Sequence, residues 1–251
     1  MPSWFARYRA FVRRRLPVGA SPVGRGPFRA PAGFPSPTVA QRESTKQFFR
    51  TYYDERVSGR NTIKLSWLGY EVWKCPLDLW TYQEIVTETR PEVIVECGTR
   101  FGGGALYLAT VFDLLGGPGH IFSIDTDTSL RRPYHRRITY VAGSSTDPAI
   151  LERIRSATQG RRTMVILDSD HRAEHVAREL EVYPDFVSRD CYLIVDDTSI
   201  DQAPWAWEGF GPGPGIAAAA FLALDDRFMA DAGRERFFLT LNPGGFLRRV
   251  R

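Results

Sequence analysis

Two apolar stretches of the sequence each end in carboxylates. Residues 164–168 read Met-Val-Ile-Leu-Asp, and residues 193–197 read Leu-Ile-Val-Asp-Asp. Such runs are typical of parallel strands covered on both faces, and ligands bind beyond the carboxyl ends of these strands. We therefore expect Asp168, Asp196 and Asp197 to meet in one crevice. Clustered carboxylates repel unless a cation neutralises them, and an all-oxygen site with several acids suits Mg²⁺, so the sequence predicts a magnesium site.

Asp170 and His171 follow this cluster and could move a proton. A hydroxyl that a dication polarises could give its proton to Asp168, with Asp170 and His171 as reserve bases. Capping is an equally good interpretation of Asp170, because aspartate often precedes a helix such as the one expected from about residue 172. His171 and His175 share a helix face, but no cysteine or H-E-x-x-H context supports zinc, so a surface or supporting position is preferred.

A glycine-rich turn follows an earlier strand. Residues 93–104 read Val-Ile-Val-Glu-Cys-Gly-Thr-Arg-Phe-Gly-Gly-Gly, which is not the G-x-G-x-x-G spacing of NAD proteins. Only glycine lets the backbone approach a ligand so closely, although glycine also occurs at such turns without any ligand. Asp125 ends the next strand, and Ser144 follows a third, where an adenine would lie. The order predicts a nucleotide-type cofactor site. The candidate cofactor-binding residues are Glu96, Gly98, Thr99, Gly102, Gly103, Asp125, Ser144, Ser145 and Asp168.

These residues need an alternating α/β framework to bring them together. The hydrophobic pattern predicts strands at about 93–97, 120–125, 138–142, 163–168, 191–196, 235–240 and 246–250. It predicts helices at about 103–115, 148–157, 172–188 and 214–229. Right-handed crossovers then give a doubly wound, mostly parallel seven-stranded sheet, with the last strand antiparallel at the edge.

The region before the sheet is expected to be mainly helical. One helix contains Phe48, Phe49, Tyr52 and Tyr53, an irregular stretch covers residues 67–70, and a second helix begins at Pro76 and ends before Pro91. After the fifth strand, residues 204–210 carry two tryptophans and a phenylalanine. This segment is placed where a lid over a sugar or polyketide ring would lie.

Charge divides the chain in two. The whole chain of 251 residues has a formal net charge of +4, but residues 1–42 hold eight arginines and no acid. The remaining residues carry 25 basic and 29 acidic side chains, so nucleic acid is discounted as a partner. We expect a basic Pro/Gly-rich flexible tail at 1–40 and one domain at 41–251, whose residues 41–90 form a helical cap.

Two observations bear on location. Three cysteines without metal-type spacing argue against a disulfide framework, and no apolar run approaches the ~18 residues of a membrane span, so a cytoplasmic protein is expected. Residues 4–15 mix aromatics with arginine and could form a basic amphipathic helix at a membrane surface. A disordered leader is the preferred interpretation, because a Pro/Gly-rich stretch follows.

The assembled motifs resemble a known family. Residues 93–104 with Asp125 resemble the first two motifs of class I S-adenosylmethionine-dependent methyltransferases. From about Trp67 to Asn242 the chain is similar to the cephalosporin hydroxylase-type methyltransferases, which include rhamnosyl O-methyltransferases, and to macrocin-type sugar O-methyltransferases. The motifs that carry the resemblance are W-L-G-Y at 67–70, P-L-D-L-W-T-Y-Q-E at 76–84, E-C-G-T-R-F-G-G at 96–103, S-I-D at 123–125, G-S-S at 143–145, L-D-S-D-H at 167–171 and V-D-D-T at 195–198.

The resemblance implies a Rossmann-like methyltransferase fold, S-adenosylmethionine, a divalent metal held by Asp168, Asp196 and Asp197, and homo-oligomers. It predicts methyl transfer to a hydroxyl, most simply of a sugar in a natural-product glycoside or polysaccharide. Despite the family's name, no His-x-Asp or His-x-Glu motif supports an iron oxygenase. The alternatives are an O-methyltransferase of a phenolic or diol small molecule, and a non-catalytic methyltransferase-like partner or assembly subunit.

Overall fold

The computed structural model describes residues 38–52, 65–202 and 211–251. Two strands form an N-terminal hairpin, β1 (Leu65–Trp67) and β2 (Tyr70–Val72). The main sheet contains β3 (Val93–Cys97), β4 (His120–Asp125), β5 (Ile138–Ala142), β6 (Thr163–Leu167), β7 (Tyr192–Val195), β8 (Phe228–Ala230) and β9 (Phe246–Arg249). The helices are α1 (Val39–Tyr52), α2 (Pro76–Thr89), α3 (Gly103–Leu115), α4 (Pro148–Thr158), α5 (Ala173–Val182) and α6 (Pro214–Leu224).

The seven strands lie in the order β5-β4-β3-β6-β7-β9-β8. The first five in this order are parallel, and β9 is antiparallel to both of its neighbours. The predicted mostly parallel α/β sheet is thereby confirmed. The antiparallel strand β9 lies one place inside the edge, and β8 forms the edge by pairing with it.

Helices cover both faces of the sheet. One apolar core joins the sheet to α4, α5 and α6 through residues such as Ile154, Leu180 and Ala218. The other joins it to α2 and α3 through residues such as Ile85 and Leu108. Strands β3, β6 and β7 are buried along their whole length, which explains their uninterrupted apolar sequences.

Four elements differ from the sequence-based expectations. The helix predicted at about 172–188 ends at Val182, and a 3₁₀ helix covers Tyr183–Phe186. Residues 65–72 form a hairpin, because Leu68 and Gly69 both adopt positive φ (49° and 84°), as a two-residue type I′ turn requires. The strand predicted at 235–240 is wrong: the strand is Phe228–Ala230, and a 3₁₀ helix covers Ala232–Glu235. Helix α6 ends at Leu224, five residues before the predicted end, because β8 begins soon afterwards.

Helix α1 covers the predicted residues Phe48 and Tyr52, and Tyr53 lies outside the described residues. The predicted helix from Pro76 is confirmed as α2. Within the described ranges, no helix combines the length and the apolar character that crossing a membrane requires.

Candidate functional site

The parallel ladder places the acids at one edge of the sheet. Strands β3, β6 and β7 pair in register, with Cys97 opposite Leu167 and Leu167 opposite Val195. The pairing continues one residue beyond each strand: the Asp168 amide donates to the Cys97 carbonyl at 2.8 Å, and the Asp196 amide donates to the Leu167 carbonyl at 2.9 Å. The residues that follow the two strands are thus side by side, as the sequence predicts.

Asp168, His171 and Asp197 form a compact group of potential metal ligands. One ligand atom of each lies within 4.8 Å of the others, and His171 Nε2 is 3.3 Å from Asp197 Oδ2. Burial raises the pKa of Asp168 well above its usual value and also raises the pKa of Asp197. A bound cation would stabilise the ionised form of both carboxylates, so this donor set fits a divalent ion.

Asp196 departs from the predicted metal triad. It is 4% exposed and both its oxygens are engaged: Oδ1 accepts from the Tyr82 hydroxyl and, at 2.9 Å, from Asn242 Nδ2, while Oδ2 accepts from Lys74. The structure therefore groups His171, rather than Asp196, with Asp168 and Asp197. The strand pattern placed Asp196 at the right edge, but side-chain direction depends on partners far away in the sequence.

Lys74 is the functional residue that the sequence analysis missed. Its ammonium is buried, lies 2.6 Å from Asp168 Oδ2 and also bonds Asp196. Burial alone would lower the pKa of Lys74, but the carboxylates of Asp168, Asp196 and Glu96 raise it well above the usual value. Lys74 is thus a fixed positive charge between the two strand ends. A single lysine within Val-Trp-Lys-Cys gives no sequence signal of this role.

Asn242 fixes the backbone of the acid pair. Its Oδ1 accepts from the Asp197 amide at 2.9 Å, and its Nδ2 donates to Tyr82 Oη at 3.0 Å as well as to Asp196. Asp197 has φ of 55°, a left-handed conformation that costs a residue with a Cβ about 1 kcal/mol or more. The hydrogen bond from Asn242 helps hold Asp197 in this conformation, so Asn242 is a positioning residue.

Asp170 lies outside the ligand group. Its carboxylate accepts from the Arg172 amide at 2.9 Å, and its side chain is 41% exposed beside the Arg172 guanidinium. This is the turn-capping arrangement, one of the two interpretations that the sequence left open. The remaining base candidates are therefore Asp168 and His171, which both belong to the ligand group.

The glycine turn lies directly against the acids. Gly98 has φ of 96°, and a Cβ on it would come within 1.7 Å of the Asp168 carbonyl oxygen. Gly102 is left-handed (φ 76°) and precedes α3, whose N-terminus has no side-chain cap. Uncapped amides at a helix N-terminus suit a carboxylate or phosphate ligand. The turn and the metal-ligand group thus follow neighbouring parallel strands at the same edge of the sheet.

Glu96 is buried beneath this turn. It is 1% exposed, accepts from Ser123 Oγ at 2.5 Å, and its Oε1 is 3.0 Å from where a Cβ on Gly104 would lie. Burial raises the pKa of Glu96 to about 7. Thr99 Oγ1 lies 2.7 Å from Ser123 Oγ, so the turn is tied to Glu96 through two hydroxyls.

Asp125 faces the same turn, as predicted. Its Oδ2 accepts from the amides of Thr99 (3.1 Å) and Arg100 (2.7 Å), and its Oδ1 accepts from the Asp127 amide at 2.9 Å. Asp125 therefore organises the loop between β3 and α3.

The two serines after β5 have different hydrogen-bond partners. Ser144 is half-buried with its hydroxyl 3.1 Å from Thr146 Oγ1, whereas the buried Ser145 hydroxyl donates to Glu179 Oε1 at 2.6 Å. Ser169 donates to the same oxygen at 2.7 Å. Glu179 is fully buried and thus links the loop after β5 to the loop after β6. No local sequence pattern indicates this link.

His175 has the supporting position that was expected. Its Nε2 is 3.4 Å from Glu179 Oε1 and 3.3 Å from Ser145 Oγ. The hydrogen bond with Glu179 raises the pKa of His175.

Two further features complete the description. The predicted lid at 204–210 lies outside the described residues. A cleft of about 870 Å³, lined by six arginines among other residues, opens near Arg162 and Ser188 at the amino end of β6. This is the opposite edge from Asp168, roughly 16 Å away along the strand.

Comparison with known proteins places the chain among methyltransferases. Residues 60–250 match the family Rhamnosyl O-methyltransferase/CmcI. The rhamnosyl O-methyltransferase of Mycobacterium tuberculosis is 36% identical over 223 residues, covering 86% of each chain. That of Mycobacterium leprae is 32% identical over 210 residues, covering 81% of this chain and 90% of the relative.

Solved structures share the fold. The structure described as cmcI-D160 Mg-SAM matches with a TM-score of 0.59 and 22% identity, covering 74% of this chain and 77% of its own. The CmcI-N160 apo-structure matches with a TM-score of 0.58 at the same identity, covering 74% and 76%. The family match and the mycobacterial relatives lead to one conclusion: this chain belongs to the rhamnosyl O-methyltransferase/CmcI family and is an O-methyltransferase.

Proposed function

We propose that this protein transfers a methyl group from S-adenosylmethionine to a hydroxyl of a sugar, with a divalent cation, Mg²⁺, in the site. The observation that carries the proposal is the packing of Gly98, where the turn begins, against the backbone of Asp168, whose side chain belongs to the acid group. A cofactor on the turn and an acceptor at the acids would lie within transfer distance, and positioning of this kind supplies much of a methyl transfer's rate.

The cofactor would be held by the turn and by the acids at the strand ends. The uncapped amides that follow Gly102 suit its carboxylate, and Asp125 lies where a ribose would be recognised. Gly103 lets β2 pack closely against the turn, because a Cβ there would come within 2.3 Å of the Glu71 carbonyl oxygen, so Gly103 acts through this packing. Thr99 and Glu96 support the turn from below. Ser144 remains a candidate at the adenine end, whereas the Ser145 hydroxyl acts through Glu179.

Asp168 and Asp197 would hold the cation, with His171 beside them. Mg²⁺ commonly takes one or two carboxylates and keeps several waters, which matches two available acids. When bound, S-adenosylmethionine supplies the electrophilic methyl group and the cation lowers the pKa of the acceptor hydroxyl. Asp196, fixed by Lys74, Tyr82 and Asn242, would then shape the site electrostatically without direct contact.

His171 and Asp168 are the two groups that can accept the acceptor's proton. His171 Nε2 is 3.3 Å from Asp197 Oδ2, so its ring faces the acid group, and its side chain is 25% exposed. A neutral imidazole in this position can take a proton and then be stabilised as imidazolium by Asp197. Asp168 has the same reach but is already paired with Lys74.

A sugar is the acceptor class that the relatives support. The mycobacterial relatives are named rhamnosyl O-methyltransferases, and one structure that shares the fold is described with Mg and SAM. Assembly into homo-oligomers and the division at residue 40 stay predictions.

Calorimetric titration with S-adenosylhomocysteine, with and without Mg²⁺, tests the proposal. We expect S-adenosylhomocysteine to bind. We also expect methyl transfer to a rhamnoside, and this transfer should require the metal. Asp197→Ala should abolish transfer while leaving S-adenosylhomocysteine binding and the thermal unfolding midpoint close to those of the wild type. A chain that does not bind S-adenosylhomocysteine would instead be a non-catalytic subunit. Methyl transfer that persists after a chelator has removed the metal would contradict the role given to Asp168 and Asp197.

A further inference from the structure

An exposed tryptophan lies at the rim of the candidate site. Trp73 is 52% exposed, whereas its neighbour Lys74 is 8% exposed and reaches inward to the acids. Large apolar rings that stay exposed beside a site commonly mark binding surfaces. Trp73 has no part in the methyl-transfer geometry described above.

The strand before Trp73 is pressed against the glycine turn. A Cβ on Gly103 would come within 2.3 Å of the Glu71 carbonyl oxygen and 2.5 Å of Val72 Cγ2. On the other side, Lys74 Nζ is 2.6 Å from Asp168 Oδ2. Trp73 is therefore flanked in the chain by residues that pack against the cofactor turn and by a residue that bonds the acid group.

The Trp73 ring is held in place while it remains exposed. Its Nε1 donates to Glu71 Oε1, and its ring centroid is 5.5 Å from that of Phe101 at an interplanar angle of 60°. The Arg100 guanidinium lies 4.7 Å from the Trp73 ring and 5.3 Å from the Phe101 ring. Trp73, Phe101 and Arg100 form a preorganised surface, which we call the Trp73 platform.

The chemistry of the platform fits one ring of a sugar. A pyranose presents a patch of C–H groups on one face and hydroxyls around its edge. An indole face complements the C–H patch, and a guanidinium can donate hydrogen bonds to the hydroxyls. A 6-deoxyhexose adds a methyl group, which increases the apolar area that a tryptophan can cover.

We propose that the acceptor's sugar ring stacks on the Trp73 platform while one of its hydroxyls reaches Asp168, His171 and Asp197. This inference rests on the proposed sugar O-methyltransferase function and assigns its acceptor-binding surface. It makes Trp73 a determinant of acceptor affinity and leaves cofactor binding to the glycine turn.

Trp80 provides a matched control. It is 58% exposed, a value similar to that of Trp73, and its Nε1 donates to Glu84 on its own helix at 3.0 Å. The same helix sends Tyr82 toward the acids, so Trp80, two residues earlier, faces elsewhere. Removal of Trp80 deletes an exposed indole of the same type without touching the platform.

The test uses the full chain with S-adenosylmethionine, Mg²⁺ and methyl α-L-rhamnopyranoside as the acceptor probe. For Trp73→Ala we expect KM for the rhamnoside to rise about tenfold, with a much smaller change in kcat. Trp73→Phe should recover most of the affinity. Trp80→Ala should match the wild type in both constants, and S-adenosylhomocysteine should bind all four proteins equally.

Three results would overturn the proposal. An unchanged KM in Trp73→Ala is one, and an equal loss in Trp80→Ala is another. Weakened S-adenosylhomocysteine binding in Trp73→Ala is the third, since it would assign the ring to the cofactor turn. Saturation-transfer NMR with the rhamnoside needs no turnover, so it tests stacking even if methyl transfer is absent. Loss of that signal in Trp73→Ala alone supports the platform, and no signal in the wild type refutes it.

Discussion

Lys74 Nζ lies 2.6 Å from Asp168 Oδ2 and bonds Asp196 Oδ2 as well, so one buried ammonium joins the ends of two neighbouring strands. Asp168, Asp196 and Asp197 together with Lys74 carry two uncompensated negative charges when all are ionised and His171 is neutral. Two charges are what a dication supplies. The lysine thus sets the charge of the site as well as joining Asp168 to Asp196.

Removing this ammonium should destabilise the metal-free protein. In Lys74→Met, Asp168 and Asp196 lose their shared cation and remain buried, which costs about 3 kcal/mol of unfolding free energy. Lys74 no longer competes with a metal for Asp168, so added Mg²⁺ should raise the thermal unfolding midpoint of the variant more than that of the wild type. Thermal unfolding with and without Mg²⁺ measures both effects. Lys46→Met, at an exposed pair with Glu43, is the control and should change neither.

The buried carboxyl of Glu96 should make stability depend on pH. Burial raises its pKa from 4.5 to about 7, so the folded state holds a proton that the unfolded state releases in this range. The advantage of the wild type over Glu96→Gln is therefore complete below pH 4.5 and is lost as pH rises through about 7. We expect a change of about 3 kcal/mol in the stability difference.

Urea unfolding at acidic and mildly alkaline pH measures the Glu96 effect. The exposed Glu174 offers a control, because Glu174→Gln makes the same carboxyl-to-amide change on the solvent side of α5. A pH-independent difference for Glu96→Gln would mean that the Glu96 carboxyl titrates normally in the fold.

The contact between Gly98 and Asp168 leaves no room for a side chain. In Gly98→Ala the new Cβ would overlap the backbone carbonyl of Asp168, 1.7 Å away, at a φ of 96°. We expect little folded protein, or an unfolding free energy lower by several kcal/mol, on the order of other overpacked cores. Gly69→Ala is the control: it lies in the type I′ turn with a φ of 84° and nothing within 4 Å, so it should cost only about 1 kcal/mol. Soluble yield and thermal midpoint compare the two.

Substitutions at Asp170 and His171 should have different effects, because Asp170 caps a turn whereas His171 is a candidate base. Asp170→Ala loses the bond to the Arg172 amide and should lower stability by about 1 kcal/mol with nearly normal kcat. His171→Gln keeps a polar side chain but removes the base, so kcat should fall by about 10²-fold or more. Methyl transfer by single-turnover kinetics distinguishes them, and an inactive Asp170→Ala with normal folding would reverse the assignment.

Local sequence predicted the central strands well because their apolar runs are long and unambiguous. Val93–Cys97, His120–Asp125 and Ile138–Ala142 have the expected bounds. The wrong strand at 235–240 contains Phe237, Phe238 and Leu239, which resemble a strand, but Phe238 adopts a φ of 61° that ends any extended run. Edge strand β8 has only three residues, too few to give a period.

The sequence predicted those residues of the candidate site whose positions depend on where the strands end. Asp168 and Asp197 follow from the sheet, because residues after parallel strands share one edge. The direction of Asp196 depends on Lys74 and Asn242, which are 122 and 46 residues away in sequence. Isolated residues at such separations leave no local pattern, so their roles appear only when the chain is folded.

The position of β9 in the sheet determines which part of the candidate site forms last during synthesis. Residues 246–249 insert between β7 and β8, and Asn242, just before them, anchors the amide of Asp197. During synthesis the Gly-rich turn and Asp168 leave the ribosome long before Asn242 does. Asp197 therefore lacks the hydrogen bond to Asn242 until the segment that precedes the last strand of the described sheet has been added.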